Sequence, residues 1–252
     1  MTPDREKTRS ARIVNMYYEP GTQRATKVNE LFTRIAPRYD LINDLQSFGL
    51  HRFWKKRAVK EARPREGEKA LDVCCGTGDI ALELARKGAE VTGLDFSERM
   101  LEIAHARQSK GSVVSARMHF LRGDAQSIPF PDGTFDIVTI GYGLRNLTSW
   151  ETGLREMQRV AKPGGRLVIL EFGKPENAVW RAIYETYLKL FSPALGLIFC
   201  GDIAAYSYIL QSLKHYPAQR VVGEKMREMG LLNVRVIDLL GGAMSINYAE
   251  KQ

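Results

Sequence analysis

The stretch Leu71-Asp72-Val73-Cys74-Cys75-Gly76-Thr77-Gly78-Asp79 decides the fold. An apolar run, Lys69–Cys74, leads into two glycines one residue apart, and a helical pattern carried by Ile80, Leu82 and Leu84 follows. Glycines at such a strand-to-helix turn let the backbone approach a ligand, and the helix N-terminus beyond them favours an acceptor or anion. Outward from this point the alternation repeats. Glu90–Asp95 reads as a second strand, and Ser97 then caps a helix with Met100, Leu101 and Ala104 on one side. Met118–Leu121 reads as a third strand and Phe135–Gly141 as a fourth. Ser149–Ala161 is a helix with Leu154, Met157 and Val160 in phase, and Lys162-Pro163-Gly164-Gly165 turns the chain into a fifth strand, Arg166–Phe172. This pattern predicts an α/β fold with a parallel, doubly wound sheet. Its ligand belongs at the carboxyl ends of the strands, near the switch point.

The flanks are helical. Residues 1–27 are polar without a period and are expected to be a flexible leader. Residues 28–65 form a helical cap: Val28, Leu31, Phe32 and Ile35 recur at helical spacing up to a break at Pro37, and Arg52–Ala62 is a further helix ended by Pro64. Residues 67–172 are the core, and 173–216 a helical insertion. Residues 217–252 hold a closing helix (Ala218–Gly230) and two strands (Leu232–Leu240 and Ala243–Tyr248). The expectation is one domain over 28–252. Apolar residues make up 44% and charged ones 26% of the 252, which excludes collagen-like and wholly disordered classes. No run of 18 apolar residues spans a bilayer, and the charged start Met1–Ser10 is not a secretory signal. Three cysteines, two of them adjacent, give neither a disulfide framework nor a metal ligand set, so a reduced, cytoplasmic location is expected. Cys74 and Cys75 read as small strand residues. The net charge of +8 lies entirely in residues 1–65, with 15 Lys+Arg against 7 Asp+Glu; residues 66–252 hold 22 of each. Such a segment fits a nucleic-acid partner, an anionic membrane surface or a plain solvated leader.

The glycine loop has three readings at this point. Gly76-x-Gly78-x-x-Ala81, with Asp95 17 residues beyond Gly78, fits a dinucleotide fingerprint and so an NAD-dependent dehydrogenase. A tight turn without a ligand is the second. Against the first stands Asp72, whose carboxylate would face a diphosphate but suits a cationic or amino-acid ligand. Gly123-Asp124-Ala125, Pro129-Phe130-Pro131-Asp132-Gly133-Thr134-Phe135-Asp136 and Arg159-Val160-Ala161-Lys162-Pro163-Gly164-Gly165-Arg166-Leu167 add a third reading. Together these motifs resemble the class I methyltransferases that use S-adenosylmethionine. The resemblance implies a Rossmann-like, mostly parallel sheet with an antiparallel last strand. It also implies cofactor contacts from Asp72, Gly76, Thr77, Gly78, Asp95, Phe96, Asp124, Ala125 and Gly141. Asp95 would accept the ribose hydroxyls, Asp124 the adenine amino group, and Ala125 would offer a backbone donor to the ring.

A narrower resemblance lies outside the core. Leu31-Phe32-Thr33-Arg34-Ile35-Ala36-Pro37-Arg38-Tyr39-Asp40-Leu41-Ile42-Asn43-Asp44, then Ser47-Phe48-Gly49-Leu50-His51-Arg52-x-Trp54-Lys55, is similar to the N-terminal signature of the menaquinone/ubiquinone biosynthesis C-methyltransferases. Gly141-Tyr142-Gly143-Leu144-Arg145-Asn146-Leu147-Thr148, Leu170-Glu171-Phe172-x-Lys174-Pro175 and Tyr206-Ser207-x-x-x-Gln211-Ser212 extend it. Asp72-Val73-Cys74-Cys75-Gly76 and Gly93-Leu94-Asp95-Phe96-Ser97 look most like the demethylmenaquinone branch. Gly141 stands where the ubiquinone branch commonly carries a serine, and Ala205 and the tail Met244–Tyr248 depart from the family pattern. The resemblance implies methylation of a ring carbon of a prenylated demethylnaphthoquinol, with a prenylated benzoquinol as the alternative. Arg145 and Asn146 would be catalytic, and Tyr39, Tyr142 and Tyr206 would meet substrate.

A guanidinium stays protonated below a pKa of about 12, so Arg145 is better suited to stabilise a developing phenolate than to act as a base. A salt bridge that holds the loop after the fourth strand is its alternative. His51 has the chemistry of a proton acceptor, but with Arg52, Lys55 and Lys56 beside it a solvated basic helix face is expected. Leu190–Cys200, eleven residues without charge and divided by Pro193, suits a prenyl tail, a core helix or a homodimer face. With the basic residues 1–65 it points to transient contact with a membrane surface and to no nucleic-acid partner.

Overall fold

The computed structural model describes residues 23–108, 114–200 and 203–252, with no side chains for 199, 200 and 203–207. The expected leader lies almost wholly outside the described residues. The cap is α1 (Arg24–Ile35), a 3₁₀ turn (Ala36–Arg38), α2 (Tyr39–Ser47) and α3 (Leu50–Ala62). It starts at Arg24, four residues earlier than the apolar spacing indicates, because Arg24 is itself buried. Pro37 opens the 3₁₀ turn, where its missing N–H costs nothing. The core then alternates β1 (Lys69–Val73), α4 (Asp79–Arg86), β2 (Glu90–Asp95), α5 (Glu98–Gln108), β3 (Met118–Arg122), β4 (Phe135–Gly141), α6 (Trp150–Val160) and β5 (Ala161–Phe172). Two long helices, α7 (Ala178–Cys200) and α8 (Ile203–His215), precede α9 (Gln219–Glu228), β6 (Leu232–Leu239) and β7 (Met244–Glu250).

The strands order as β3-β2-β1-β4-β5-β7-β6. β1, β2, β3, β4 and β5 are parallel, and β7 runs antiparallel between β5 and β6. Each face of the sheet is covered, as a parallel sheet requires. Trp54, Val59, Ile80, Leu84 and Leu101 close one face, and Leu154, Met157, Val160, Val222 and Met226 the other. Fully burying one such side chain contributes about 1.5–3 kcal/mol, so the sheet is a rigid platform. A third cluster joins cap to insertion: Leu31, Ile35 and Ile42 pack with Tyr184, Leu188, Tyr208 and Leu213.

Four local expectations are corrected. The fifth strand begins at Ala161, which pairs with Phe135; the next register pair is Ile137 with Arg166, so Lys162–Gly165 is a bulge within the strand. Ser97 does not cap its helix through its side chain, because its hydroxyl has no hydrogen-bond partner. Pro193 lies inside an unbroken α7, where packing against α8 outweighs the lost backbone bond. Cys74 is in the turn beyond β1, at a positive φ of 53°, and Cys75 is buried beside it.

Candidate active site

Two cavities meet above the carboxyl ends of the strands, and Phe32, Tyr39 and Tyr142 line both. The first, about 90 Å³, is floored by the core loops: Gly76 after β1, Asp95, Phe96 and Ser97 after β2, Asp124 and Ala125 after β3, and Gly141 and Tyr142 at the end of β4. α1 roofs it with Ala25, Val28 and Asn29. Asp95 is fixed from below. Its Oδ2 accepts from the Gly76 N–H at 2.8 Å and its Oδ1 from the Ser97 N–H at 2.8 Å, and burial pushes its pKa up. Asp124 accepts from the Gln126 N–H at 2.8 Å in an Asx-type turn. Gly76 has φ 55°, a conformation open to glycine, and a Cβ there would meet nothing within 4 Å. Gly141 is different, because a Cβ on it would lie 2.4 Å from Ile80 Cδ1.

Three of the residues expected at the cofactor do not line this cavity. Asp72 is buried and satisfied within the protein: Thr139 Oγ1 donates to its Oδ1 at 2.8 Å and the Ala81 N–H to its Oδ2 at 3.1 Å. Burial pushes its pKa up to about 7, against the lowering effect of those two bonds. Thr77 donates to Asp40 Oδ1 at 3.0 Å, so it ties the glycine loop to the cap. Arg107 bonds the same Asp40 and, at 2.7 Å, Asp79, which also pairs with Lys55 at 2.6 Å. Gly78, at φ 84°, is the N-cap of α4, with Phe120 packed against it.

The second cavity, about 270 Å³, is apolar and is walled by the cap, by α7 and by α8. Leu31, Phe32, Ile35, Tyr184, Leu188 and Ile209 form much of its wall, and Arg145 lies at its inner end near Tyr142. The Arg145 guanidinium is buried and bonds Glu171 Oε1 at 2.5 Å and the Tyr142 carbonyl at 2.8 Å. It stacks on Phe172, 4.6 Å from the ring centre, and its Nε has no partner. Burial works against the charge most strongly, but Glu171, Tyr208 and Tyr39 together outweigh it and hold the guanidinium pKa above its ordinary value. Arg145 is therefore salt-bridged, as its alternative reading expected, and it also lines the cavity. Asn146 donates to the Tyr142 carbonyl at 3.0 Å and accepts from Tyr208 at 3.2 Å. Tyr142 itself sits at φ 60°, unusual for an aromatic residue, with its buried hydroxyl unpartnered. Tyr206 falls on α8, but its side chain lies outside the described residues.

None of the described residues of the apolar run Leu190–Cys200, expected to hold a tail, lines this cavity. Trp180, Ile183, Tyr184, Tyr187 and Leu188, in the first half of α7, line it, whereas Leu190, Leu197 and Ile198 are exposed. His51 corrects a second expectation. It is 4% exposed and lines the apolar cavity, and Lys55 is buried too, so this face of α3 is not solvated. Sequence reasoning also passed over Glu171, although it stands within a quoted motif, and Asn29, whose amide oxygen is buried without a partner.

The comparisons with known proteins agree with this architecture. The profile described as the ubiE/COQ5 methyltransferase family matches residues 21–251. The chain belongs to that family. It is 37% identical to the ubiquinone/menaquinone biosynthesis C-methyltransferase UbiE of Azotobacter vinelandii over 98% of this chain and 99% of that protein. It is 40% identical to the demethylmenaquinone methyltransferase of Staphylococcus aureus over 89% and 94%. A SAM-dependent methyltransferase from Aquifex aeolicus superposes with a TM-score of 0.59 at 22% identity, covering 84% of this chain and 98% of that one. A possible histamine N-methyltransferase from Thermotoga maritima gives 0.62 at 19%, covering 88% and 99%. The fold is thus the class I, Rossmann-like methyltransferase fold, and the dehydrogenase reading of the glycine loop is set aside. The cavity fits an adenosyl cofactor on its own chemistry. Asp95 and Asp124 converge there, and the Ser97 hydroxyl and Asn29 amide oxygen are buried without partners among the described residues.

Proposed function

We propose that this protein methylates a ring carbon of a prenylated demethylnaphthoquinol, using the apolar cavity for the quinol and the carboxylate-lined cavity for S-adenosylmethionine. Family membership makes it a SAM-dependent C-methyltransferase of quinone biosynthesis. The observation that carries the finer reading is the junction of the two cavities at Phe32, Tyr39 and Tyr142, with Arg145 beside it. A flat aromatic ring on a long hydrocarbon chain needs an apolar channel that ends at the methyl donor.

When bound, the cofactor supplies an electrophilic methyl group. Asp95 would accept its ribose hydroxyls and Asp124 its adenine amino group, and Gly76 would leave room for close backbone approach. The Ala125 backbone faces the ring, and Phe96 and Gly141 complete the wall. Thr77, Asp72 and Gly78 act one layer behind, holding the loop to the cap and to β4. The quinol oxygen becomes anionic as its proton is removed, which makes the neighbouring ring carbon nucleophilic. Arg145, fixed by Glu171 and excluded from water, stabilises that charge without reorganising. Asn146 fixes the loop, and Tyr39 and Tyr142 orient the ring over the junction; Tyr206 is placed with substrate by family pattern alone. Orientation at about 3–3.5 Å between carbon and methyl supplies much of the acceleration.

Collection from a membrane surface accompanies this reading. Phe48 (75% exposed), Ile183 (54%) and Leu240 (51%) line the apolar cavity and also face outward. Among the described residues no helix is long and apolar enough to cross a membrane. The deciding experiment is product analysis by mass spectrometry with demethylnaphthoquinol and demethylbenzoquinol substrates of equal tail length. Preferred methylation of the naphthoquinol is expected, and exclusive methylation of the benzoquinol overturns the assignment.

A further inference from the structure

The reaction needs a group that removes the quinol hydroxyl proton, and Arg145 is chemically unsuited to do so. The apolar cavity contains a better one. His51 projects from the first turn of α3, is 4% exposed, and lines this cavity. Its Nε2 lies 2.8 Å from Asp44 Oδ1, and its Nδ1 is buried without a hydrogen-bond partner. Asp44 is itself held by Arg52 through bonds of 2.7 and 2.5 Å, and its backbone belongs to α2, the preceding helix. Two helices of the cap therefore present to the cavity where the quinol ring is proposed an imidazole backed by a carboxylate.

We infer that His51 is the proton acceptor of the reaction, with Asp44 as its positioning residue. The inference rests on the quinol reading of this cavity. With Nε2–H donated to Asp44, the free Nδ1 lone pair is the acceptor, and the carboxylate fixes that tautomer. Nδ1 takes the proton of the hydroxyl next to the carbon to be methylated, and that carbon forms its bond to the methyl as the carbon–sulfur bond breaks. The imidazolium then returns its proton to the oxygen while the ring carbon loses its hydrogen as a proton, which restores the aromatic ring. One proton is released overall, and the histidine ends neutral.

The surroundings keep the imidazole neutral beforehand. Burial first, and then the Lys55 ammonium, hold its pKa below the ordinary histidine value, while Asp44 and Asp79 oppose them. Arg52, on the far side of Asp44, holds that carboxyl down at about 2, with His51 assisting, so it stays anionic throughout the working range. Arg145, Tyr39 and Tyr142 line the same cavity. An unpartnered buried imidazole nitrogen is costly in a merely structural role, since a hydroxyl or N–H donor nearby would normally satisfy its lone pair.

The test uses His51→Gln, whose amide can still donate to Asp44 but cannot accept a proton at this pH. Adenosylhomocysteine affinity and melting temperature are expected to stay close to wild type, while kcat falls about 100-fold or more at neutral pH. The loss should shrink as pH rises toward ionisation of the naphthol, and the acid limb of the wild-type kcat/KM profile should vanish. Should His51→Gln fold poorly, Asp44→Asn gives the same decision. It must displace the acid limb with little effect on adenosylhomocysteine affinity. A His51→Gln enzyme within twofold of wild type, or a loss equal at every pH, overturns the inference. Failure of the wild-type protein to methylate any quinol would instead overturn the reading on which it rests.

Discussion

The two cavities share three side chains but are assembled in different ways. The floor of the cofactor cavity is made of short loops that follow the parallel strands, so its carboxylates and glycines sit within a few residues of a strand end. The apolar cavity draws on residues from Leu31 to Met244, and its charged centre pairs Arg145 with Glu171 across 26 positions. In the first, backbone geometry imposed by the sheet does the positioning, and carboxylates are held by N–H groups. In the second, side chains position one another, and a buried ion pair stands where a substrate must approach. The difference predicts that substitutions in the Arg145–Glu171 pair of the apolar cavity disturb folding, whereas those at the carboxylates of the cofactor cavity disturb binding.

The largest effect should come from Glu171→Gln. It leaves the buried Arg145 charge without its partner, and breaking a buried pair from one side costs about 3–5 kcal/mol. Glu171 also accepts from the backbone N–H of Arg145 at 3.2 Å and of Phe172 at 2.9 Å, so the loop after β4 loosens with it. Chemical denaturation should show the loss. The double variant Arg145→Met, Glu171→Leu should recover most of the stability and none of the turnover. If the single variant is as stable as wild type, the pair is not the structural centre of this cavity.

Asp95→Ala is the counterpart on the other side. Removing an acceptor of two ribose hydroxyls costs about 1.5–3 kcal/mol of cofactor binding, roughly 10- to 100-fold. Calorimetry with adenosylhomocysteine reads this directly, and the melting temperature of the unliganded protein should move less than in Glu171→Gln. A variant that loses stability and keeps its affinity would erase the contrast.

How much was legible follows from the same division. β2 and β4 match their sequence expectations to the residue, because an apolar run between turn signals is a local pattern. Asp95, Asp124 and Gly76 were legible for the same reason. His51 was not. Arg52, Lys55 and Lys56 around it suggest a solvated face, and only the approach of α2, with Asp44, turns that face inward. Asp72 and Thr77 were assigned to the ligand by position. The structure shows them satisfied by Thr139, Ala81 and Asp40, partners that no spacing announces.

Asp72 gives a smaller and sharper test. Its folded pKa of about 7 lies above the unfolded value of 3.8, so the native state holds the proton more tightly. The contribution is fully present below about pH 4 and is lost as pH rises through about 7. The fall is on the order of 4 kcal/mol, and Asp72→Asn should abolish it while leaving adenosylhomocysteine affinity nearly unchanged. Urea midpoints across that range measure the first quantity. A tenfold loss of affinity would return Asp72 to the ligand.

The smallest effect expected is from Gly141→Ser, which probes where the two cavities touch. Gly141 has an ordinary backbone conformation, since its φ is not among the positive ones, so a side chain introduces no backbone strain. Its added Cβ would meet Ile80 Cδ1 at 2.4 Å, and the next contact, Ile80 Cγ1, is at 3.8 Å. Only the far end of one side chain must therefore turn away. A rotamer change of this kind costs about 0.5–1.5 kcal/mol, and the new hydroxyl can return part of it through a hydrogen bond to the cofactor. The net expectation is a change in cofactor affinity within about threefold in either direction, with kcat for the naphthoquinol preserved. A fall in kcat of tenfold or more at unchanged affinity would show that the end of β4 positions the quinol, and the separation between the two cavities would no longer hold at that strand.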